Sequence, residues 1–467
     1  MDKQTSRLRI FPAEPSGAAR AHQAGVVDVI SAPLAIEEYL IPYQMLLRVP
    51  QQRLHLGHVL AGLTSDLERK NSEPIAVMHG LPRRTIQNFV GLAEWAWDPL
   101  REQQRREVAA EIGCDGATLI VDGSATPKKG KHTVGVARQW CGRLGKVDNC
   151  VEGIHAVYVG RDDQATMVES ELYLPMTWID DVARREKCHV PDVVFFETQN
   201  EIAANLIKRC SVELPFQWVS ADEAFGRDSI FRAAVRATGK NYVIEVPRSV
   251  FVQTLTGVGS GKPQRADDLV KKLRRHTALK KLRVRYGEKQ EVVVRGFMKP
   301  VVTHTVDGAP VREHLVFLLD ADNEAHFYLA HLPPKTGLLE VARRAAVRHR
   351  VEEVFAEAKG EVGMDHFECR AWHGWHHHMT LVQMAHWFLV REQRRLGKKK
   401  YAGITISMLR QAVAKLTGAP WTPARVVEFL AYHLARNEEV RAAHYRARNQ
   451  EPPLRRWQQK DPQHESQ

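Results

Sequence analysis

The chain has 467 residues, 44% hydrophobic and 26% charged, with a net charge of +12 and a pI near 9.4. That length allows two or three domains, and so basic a balance points to a polyanionic partner, nucleic acid first. The six cysteines include no CxxC pair, the N-terminus has no signal-like apolar core, and no apolar run approaches the roughly 18 residues of a membrane span. A zinc module, a small disulfide scaffold, a secreted chain and a membrane protein are thereby set aside, and a cytoplasmic protein with reduced thiols is the expectation.

Residues 1–35 are mixed and rich in Pro, Ala and Gly, and read as a flexible arm. From residue 36 to about 112, apolar residues recur at three- and four-residue intervals, the helical pattern. Within this region "SEPIAVMHGLPRRTIQNFV" reads as helix, turn at Gly80, helix, with Arg83 and Arg84 opening the second helix. A helix-turn-helix DNA reader has this layout, as do many plain helical hairpins.

At Ala117 the texture changes to strand. "ATLIVDGSATPKKG" is an apolar β-run expected to stop at Asp122, and "HTVGVARQWCGRLGKVDNCVEGIHAVYVG" reads as two strands joined by a Gly-containing turn. Another strand follows in "MVESELYLP", then a helix over about 199–211. "FQWVSADEAFG" is a second short strand ending in an aspartate, Asp222. Strands alternating with helices predict an α/β layer with a mixed sheet. Residues 241–335 are β-rich, with turn signals at Tyr286–Gly287 and Asp307–Gly308. Helix returns near Leu338 and is expected to run unbroken through Lys359. More helices follow to about residue 448, and the polar stretch 449–467 reads as a disordered tail.

Acids at strand ends collect function in open α/β sheets, though a strand-end Asp also serves as turn former or helix cap. Asp122 and Asp222 fit both descriptions. The third acid comes from "RHRVEEVFAEAKGEVGMD". At about 100° per helical residue, Glu352 and Lys359 fall within about 40° of Arg348, whereas Glu353 and Glu357 fall about 140° and 180° away. One face therefore carries Arg348, Glu352 and Lys359, while Val351, Val354 and Phe355 are free to pack. Taken alone, this face reads first as a salt-bridged helix surface.

These blocks resemble the DDE transposases of bacterial insertion sequences. The branch concerned places its glutamate in a Tyr-x2-Arg-x3-Glu-x6-Lys signature. Arg348, Glu352 and Lys359 match its last three positions, and Ala345 stands where the tyrosine would be. "VDGSATPKKGKHTVGVARQWCGRLGKVDNCVEGIHAVYV", "ELYLPMTWIDD", "WVSADEAFGRD" and "ERKNSEPIAVMHG" resemble the insertion-sequence family numbered seven-oh-one, within the insertion-sequence-four-like superfamily. The resemblance covers roughly residues 40–390.

It implies an RNase H-like catalytic core with a β-rich insertion, flanked by helical N- and C-terminal regions. The parts are a helical DNA-binding domain at 36–115, the core in two pieces at 116–240 and 336–390, the insertion at 241–335 and a helical C-terminal region at 391–448. Asp122, Asp222 and Glu352 become the catalytic acids and the ligands of two Mg²⁺ ions, with Mn²⁺ able to substitute. Asp122 is expected to bridge the ions. Arg348 and Lys359 become DNA contacts; Lys128 and Lys129, basic residues close after Asp122, and Arg83 and Arg84, which open the second helix of the hairpin, are expected to contact DNA on their own account. The implied partners are double-stranded DNA at the element ends and target, and a second copy of the chain in a homodimeric synaptic complex. The implied setting is the cytoplasm, in association with the nucleoid.

Some relatives trap a flipped base with a tryptophan from the insertion. Residues 222–347 contain no Trp, which leaves Tyr242, Phe251, Tyr286 or Phe297 to stack and leaves the excision route open. Two rival readings stand beside transposition: an RNase H-fold nuclease without strand transfer, and a non-catalytic DNA-binding repressor of transposase descent. "GVGSGKPQ" is no P-loop, because Thr256 and Pro263 occupy required Gly and Ser/Thr positions. Consecutive histidines in "HGWHHH" diverge by about 100° each on a helix and suit packing better than a shared metal. Trp372 and Trp375 are expected in the core.

Overall fold

Helical periodicity becomes five helices at the start of the described chain, which comprises residues 36–255, 261–286, 291–397, 404–417, 423–446 and 448 of a computed structural model. The helices are α1 (Ile36–Gln44), α2 (Pro50–Leu63), α3 (Ser72–Met78), α4 (Arg83–Gly91) and α5 (Asp98–Ile112). Pro50 opens α2, where its missing N–H has no helical partner to lose. Gly80, at φ +64°, makes the left-handed turn between α3 and α4. The expected arm at 1–35 and tail at 449–467 lie outside the described residues.

The sheet begins with β1 (Thr118–Pro127), β2 (Ala137–Cys141), β3 (Lys146–Val159) and β4 (Ala165–Leu172). The short helices α6 (Met176–Ile179) and α7 (Val182–Lys187) lead to α8 (Gln199–Glu213). Thr198 and Glu201 close a reciprocal capping box at the start of α8. Next come β5 (Trp218–Ala221), α9 (Glu223–Gly226), α10 (Ser229–Ala237) and β6 (Asn241–Glu245). β3 pairs antiparallel with β1, β2 and β4, while β1, β5 and β6 run parallel. The mixed α/β sheet expected from the alternation is therefore present.

The β-rich stretch comprises β7 (Phe251–Thr254), β8 (Gln264–Arg265), α11 (Ala266–Leu273), β9 (Lys280–Tyr286), β10 (Glu291–His304), β11 (Pro310–Leu319) and β12 (Ala325–His331). It continues the same sheet, because β12 pairs with β6 and β11 and β10 follow outward. The helix α11 was not anticipated inside the β-rich run. It buries Ala266, Leu269, Val270 and Leu273 against the core of the β-rich stretch and leaves Lys271 and Lys272 exposed.

The return of helix gives α12 (Leu338–Val347) and α13 (Arg350–Val362), followed by α14 (Trp372–Gly397), α15 (Ile406–Thr417) and α16 (Pro423–Arg446). Two expectations are corrected. β1 does not stop at Asp122 but continues to Pro127, because its ladder with β3 persists to Cys150. The helix expected through Lys359 is broken at Arg348–His349. Both linking residues keep right-handed helical angles, so side chains four apart still meet across the break.

One hydrophobic cluster runs from Ile36 through the sheet to Leu434 and ties the helical ends to the sheet. Every residue from Gly374 to Val390 of α14 is buried, as a helix behind a sheet requires. Trp375 is in this core, and the consecutive histidines pack there; His377 Nδ1 lies 3.0 Å from the Val90 carbonyl. α5 is pinned to β4 by buried charge: Arg101 and Arg105 reach Glu169 at 2.7 and 2.6 Å, and Arg105 also reaches Glu213 at 2.8 Å.

Candidate active site

The parallel pairing of β1 and β5 ends on Val121 opposite Ala221. The next residue on each strand is an aspartate, so Asp122 and Asp222 stand side by side on strands about 4.8 Å apart. Asp222 doubles as the N-cap of α9, its Oδ1 accepting from the Ala224 and Phe225 amides at 2.9 and 3.3 Å. Gly226 lets this short helix close on β6: a Cβ there would lie 1.8 Å from the Glu245 carbonyl oxygen. Asp122 accepts from the Gly123 amide at 2.8 Å.

Glu352 arrives from α13. Its carboxylate lies 3.2 Å from Arg348 Nη1 and 3.5 Å from His349 Nδ1, and its side chain is 58% exposed. Arg348 sits inward of it, with Nε 3.4 Å from Glu245 Oε2. Burial pushes the Asp122 carboxyl up to about 7, and the Asp222 charge adds to the rise. Arg348 and the Gly123 amide oppose it, and Glu352 adds a smaller upward push. The charges of both other acids thus reach Asp122. The ligating oxygens of the three acids do not all lie within 4.8 Å of one another, however. Among the described residues that criterion is met by Asp320, Glu324 and His326 at the β11–β12 turn. Glu352 is instead held toward Arg348 by their ion pair.

A fourth carboxylate was missed in the sequence. Glu152 on β3 is buried, and burial followed by the Asp122 charge pushes it up to about 8. Gly123 makes the space, since a Cβ at Gly123 would meet Glu152 Oε1 at 2.6 Å. The signal available was an acid flanked by apolar residues in "NCVEGIHAV", a costly position without a purpose. Glu245 was passed over likewise, at the end of an apolar strand.

The expected cations divide. Lys359 is half-buried beside the Phe355 ring, and burial lowers its ammonium below the usual lysine range. Lys128 is turned inward: its ammonium donates to the Phe367 carbonyl and lies 3.4 Å from that ring's centroid. Lys129, Arg83 and Arg84 are exposed, with Arg83 paired to Glu73 at 3.2 Å. Lys129 stands just past the end of β1, whereas Arg83 and Arg84 lie on the helical hairpin.

Carboxylates clustered where parallel strands end, with an arginine set among them, define the class of acid-cluster sites on open α/β sheets. The family described as DDE superfamily endonuclease matches residues 43–291, more than half of the chain, and the protein belongs to that family. The matched region contains Asp122 and Asp222 and ends before Glu352. The chain is 27% identical over 225 residues to a probable transposase for insertion sequence element IS701 from Microchaete diplosiphon. That alignment covers 47% of this chain and 56% of the relative, so only about half of the relative's length is spanned. A cryo-EM structure of a piggyBac transposase synaptic complex with hairpin DNA aligns over 94% of this chain and 83% of its own. Identity is 8% and the TM-score 0.36, a likeness on which nothing here rests. Among the described residues no helix is long and apolar enough to cross a membrane.

Proposed function

We propose that the protein is the transposase of an insertion sequence, cutting DNA at the element's terminal inverted repeats and joining it to a target with Mg²⁺. The observation that carries this reading is the register of β1 and β5, which sets Asp122 beside Asp222 with Arg348 and Glu352 beyond them. The core is read as RNase H-like. The strand order β4-β3-β1-β5-β6, antiparallel at one side and parallel at the other, supports that. The domain limits stand as given by the resemblance.

The donor set fits the metal. Asp122, Asp222 and Glu352 offer only oxygen ligands, which suit Mg²⁺. Burial is the larger cause of the raised Asp122 carboxyl, and the neighbouring Asp222 charge adds a repulsion that a cation would relieve. When bound, Mg²⁺ or Mn²⁺ supplies a Lewis acid that activates water or a 3′-hydroxyl and stabilises the leaving oxygen. The chain's own part is to hold the acids in register, with Asp222 fixed by its two amide bonds. Glu352 is exposed and held by side-chain ion pairs, so it can turn toward Asp122 by rotation of its own side chain. Arg348 and Lys359 hold the DNA phosphate, the first as a planar fork and the second as a point charge. Arg83, Arg84 and Lys129 are exposed, which supports reading them as contacts to backbone phosphate. Lys128 would have to leave Phe367 to do so.

The partners on this reading are double-stranded DNA at the ends and target and a second copy of the chain, working in the cytoplasm on the nucleoid. The test is cleavage of terminal-repeat DNA by wild type against Asp122→Asn and Glu352→Gln. Loss of cutting in both variants with retained DNA binding supports the site, and unchanged cutting overturns it. Capture of cut ends in a target plasmid separates a transposase from a plain nuclease. Binding without any cutting by wild type points to a repressor.

A further inference from the structure

Arg348 is surrounded by acids on more than one side. Burial disfavours its charge, while Asp122, Glu245, Asp222 and Glu352, in that order, favour it. A guanidinium whose only acidic neighbours were Asp122, Asp222 and Glu352 would compete with a cation for their oxygens. Glu245 changes that balance. It lies at the end of β6, with its backbone fixed opposite Tyr328 of β12, and its Oε2 is 3.4 Å from Arg348 Nε. That contact is an ion pair without an aligned hydrogen bond, since Arg348 Nε is buried and has no hydrogen-bond partner.

Glu245 is itself held from the other side. His326 lies two residues before Tyr328, hence on the same sheet face, diagonal to Glu245. Its Nδ1 is 3.1 Å from Glu245 Oε1, and its Nε2 is 3.6 Å from Asp320 Oδ2. Asp320 is fixed in turn by the amides of Asp322 and Glu324, at 2.9 and 2.8 Å. The hydrogen bond that His326 donates to Glu245, with the two acids' charges, holds the imidazole above its usual range against the effect of burial. Charges of alternating sign thus run Asp320, His326, Glu245, Arg348, Glu352, from the insertion's β11–β12 turn to the acid cluster.

We propose that Glu245 is a positioning residue: held by His326, it engages the Nε side of the Arg348 guanidinium, so that Arg348 is shared with Glu245 and Asp122, Asp222 and Glu352 stay open to a divalent cation. This rests on reading the three acids as the cation site. The β-rich insertion thereby has a task at the active site in addition to any contact with DNA.

The test is a double-mutant cycle on the full chain, with Mn²⁺ affinity measured calorimetrically for wild type, Glu245→Gln, Arg348→Ala and the double variant, and thermal unfolding recorded for each. Removing the Glu245 charge is expected to weaken Mn²⁺ about fivefold where Arg348 is present and to change it little where Arg348 is absent. Equal weakening in both backgrounds, or none in wild type, overturns the proposal. Should Glu245→Gln not fold, Glu245→Asp shortens the side chain and draws its carboxylate back from Arg348, and the same dependence on Arg348 is expected. DNA cleavage is followed in parallel. If wild type binds Mn²⁺ and never cuts, the transposase reading falls while the cycle still decides the role of Glu245. If wild type binds no Mn²⁺, both fall.

Discussion

Asp122 and Asp222 were legible in the sequence because each ends or interrupts an apolar run, where a carboxylate is expensive unless it has a partner. Glu352 was legible through spacing, and its contact with Arg348 is present at 3.2 Å even though the helix breaks between them. Glu152 was not legible as a site residue. Its closeness to Asp122 depends on the β1–β3 register and on Gly123 having no side chain, and neither can be read from one strand alone. Asp122→Asn keeps the shape and removes the charge. Cleavage is expected to fall by about 10²–10³-fold, the rate equivalent of several kcal/mol, in a single-turnover assay. Retention of more than about half the wild-type rate would remove Asp122 from the chemistry. Gly226→Ala tests the close approach of α9 to β6. The clash with the Glu245 carbonyl predicts a loss of about 2 kcal/mol in urea unfolding, and a neutral result would show that α9 can move.

At the scale of elements, the sheet and the flanking helices followed from periodicity, but their boundaries needed tertiary pairing. β1 outran its expected end because β3 supplies partners beyond Asp122. The helix α11 is only eight residues long and lies between strands, and its apolar positions, Leu269, Val270 and Leu273, show their common face only once packed on the core of the β-rich stretch. The helical N-terminal region is joined to β4 by Arg101, Arg105 and Glu169, all buried. Glu169→Ala leaves two arginines without their shared acid, so a loss of about 3–5 kcal/mol is expected in chemical unfolding. A loss below about 1 kcal/mol would mean the arginines find other partners.

Lys70 gives the pH counterpart. Burial lowers its ammonium to about 8, and Arg410 adds to the fall. Its folded-state pKa is therefore below the unfolded value of 10.5, the unfolded chain binds more protons, and stability rises with pH between about 8 and 10.5. Arg410 also donates to the Ser65 carbonyl that Lys70 contacts, at 2.9 Å, so Lys70→Met leaves that oxygen paired. Wild type is expected to gain about 2 kcal/mol relative to Lys70→Met between pH 7.5 and pH 10, read by denaturant unfolding. A difference that stays flat would show that Lys70 remains solvated.

The whole molecule carries +12, and the proposed DNA contacts span α4, the end of β1 and α13. Binding to terminal-repeat DNA should therefore weaken steeply with salt. Arg83→Ala and Arg84→Ala should each flatten the log–log slope by about 1 if each neutralises one phosphate. An unchanged slope would leave the helical hairpin as packing alone. The net charge led the sequence to a proposed polyanionic partner, whereas the continuity of the β-rich stretch with the sheet that carries Asp122 was not legible, since β6–β12 pairing joins residues more than eighty positions apart. The central claim, that Asp122, Asp222 and Glu352 share divalent cations, is tested most directly by anomalous diffraction from crystals of the protein soaked in Mn²⁺. The account predicts anomalous density between Asp122 and Asp222 with the Glu352 carboxylate turned toward it. Density at Asp320, Glu324 and His326 with none between the two aspartates would contradict it.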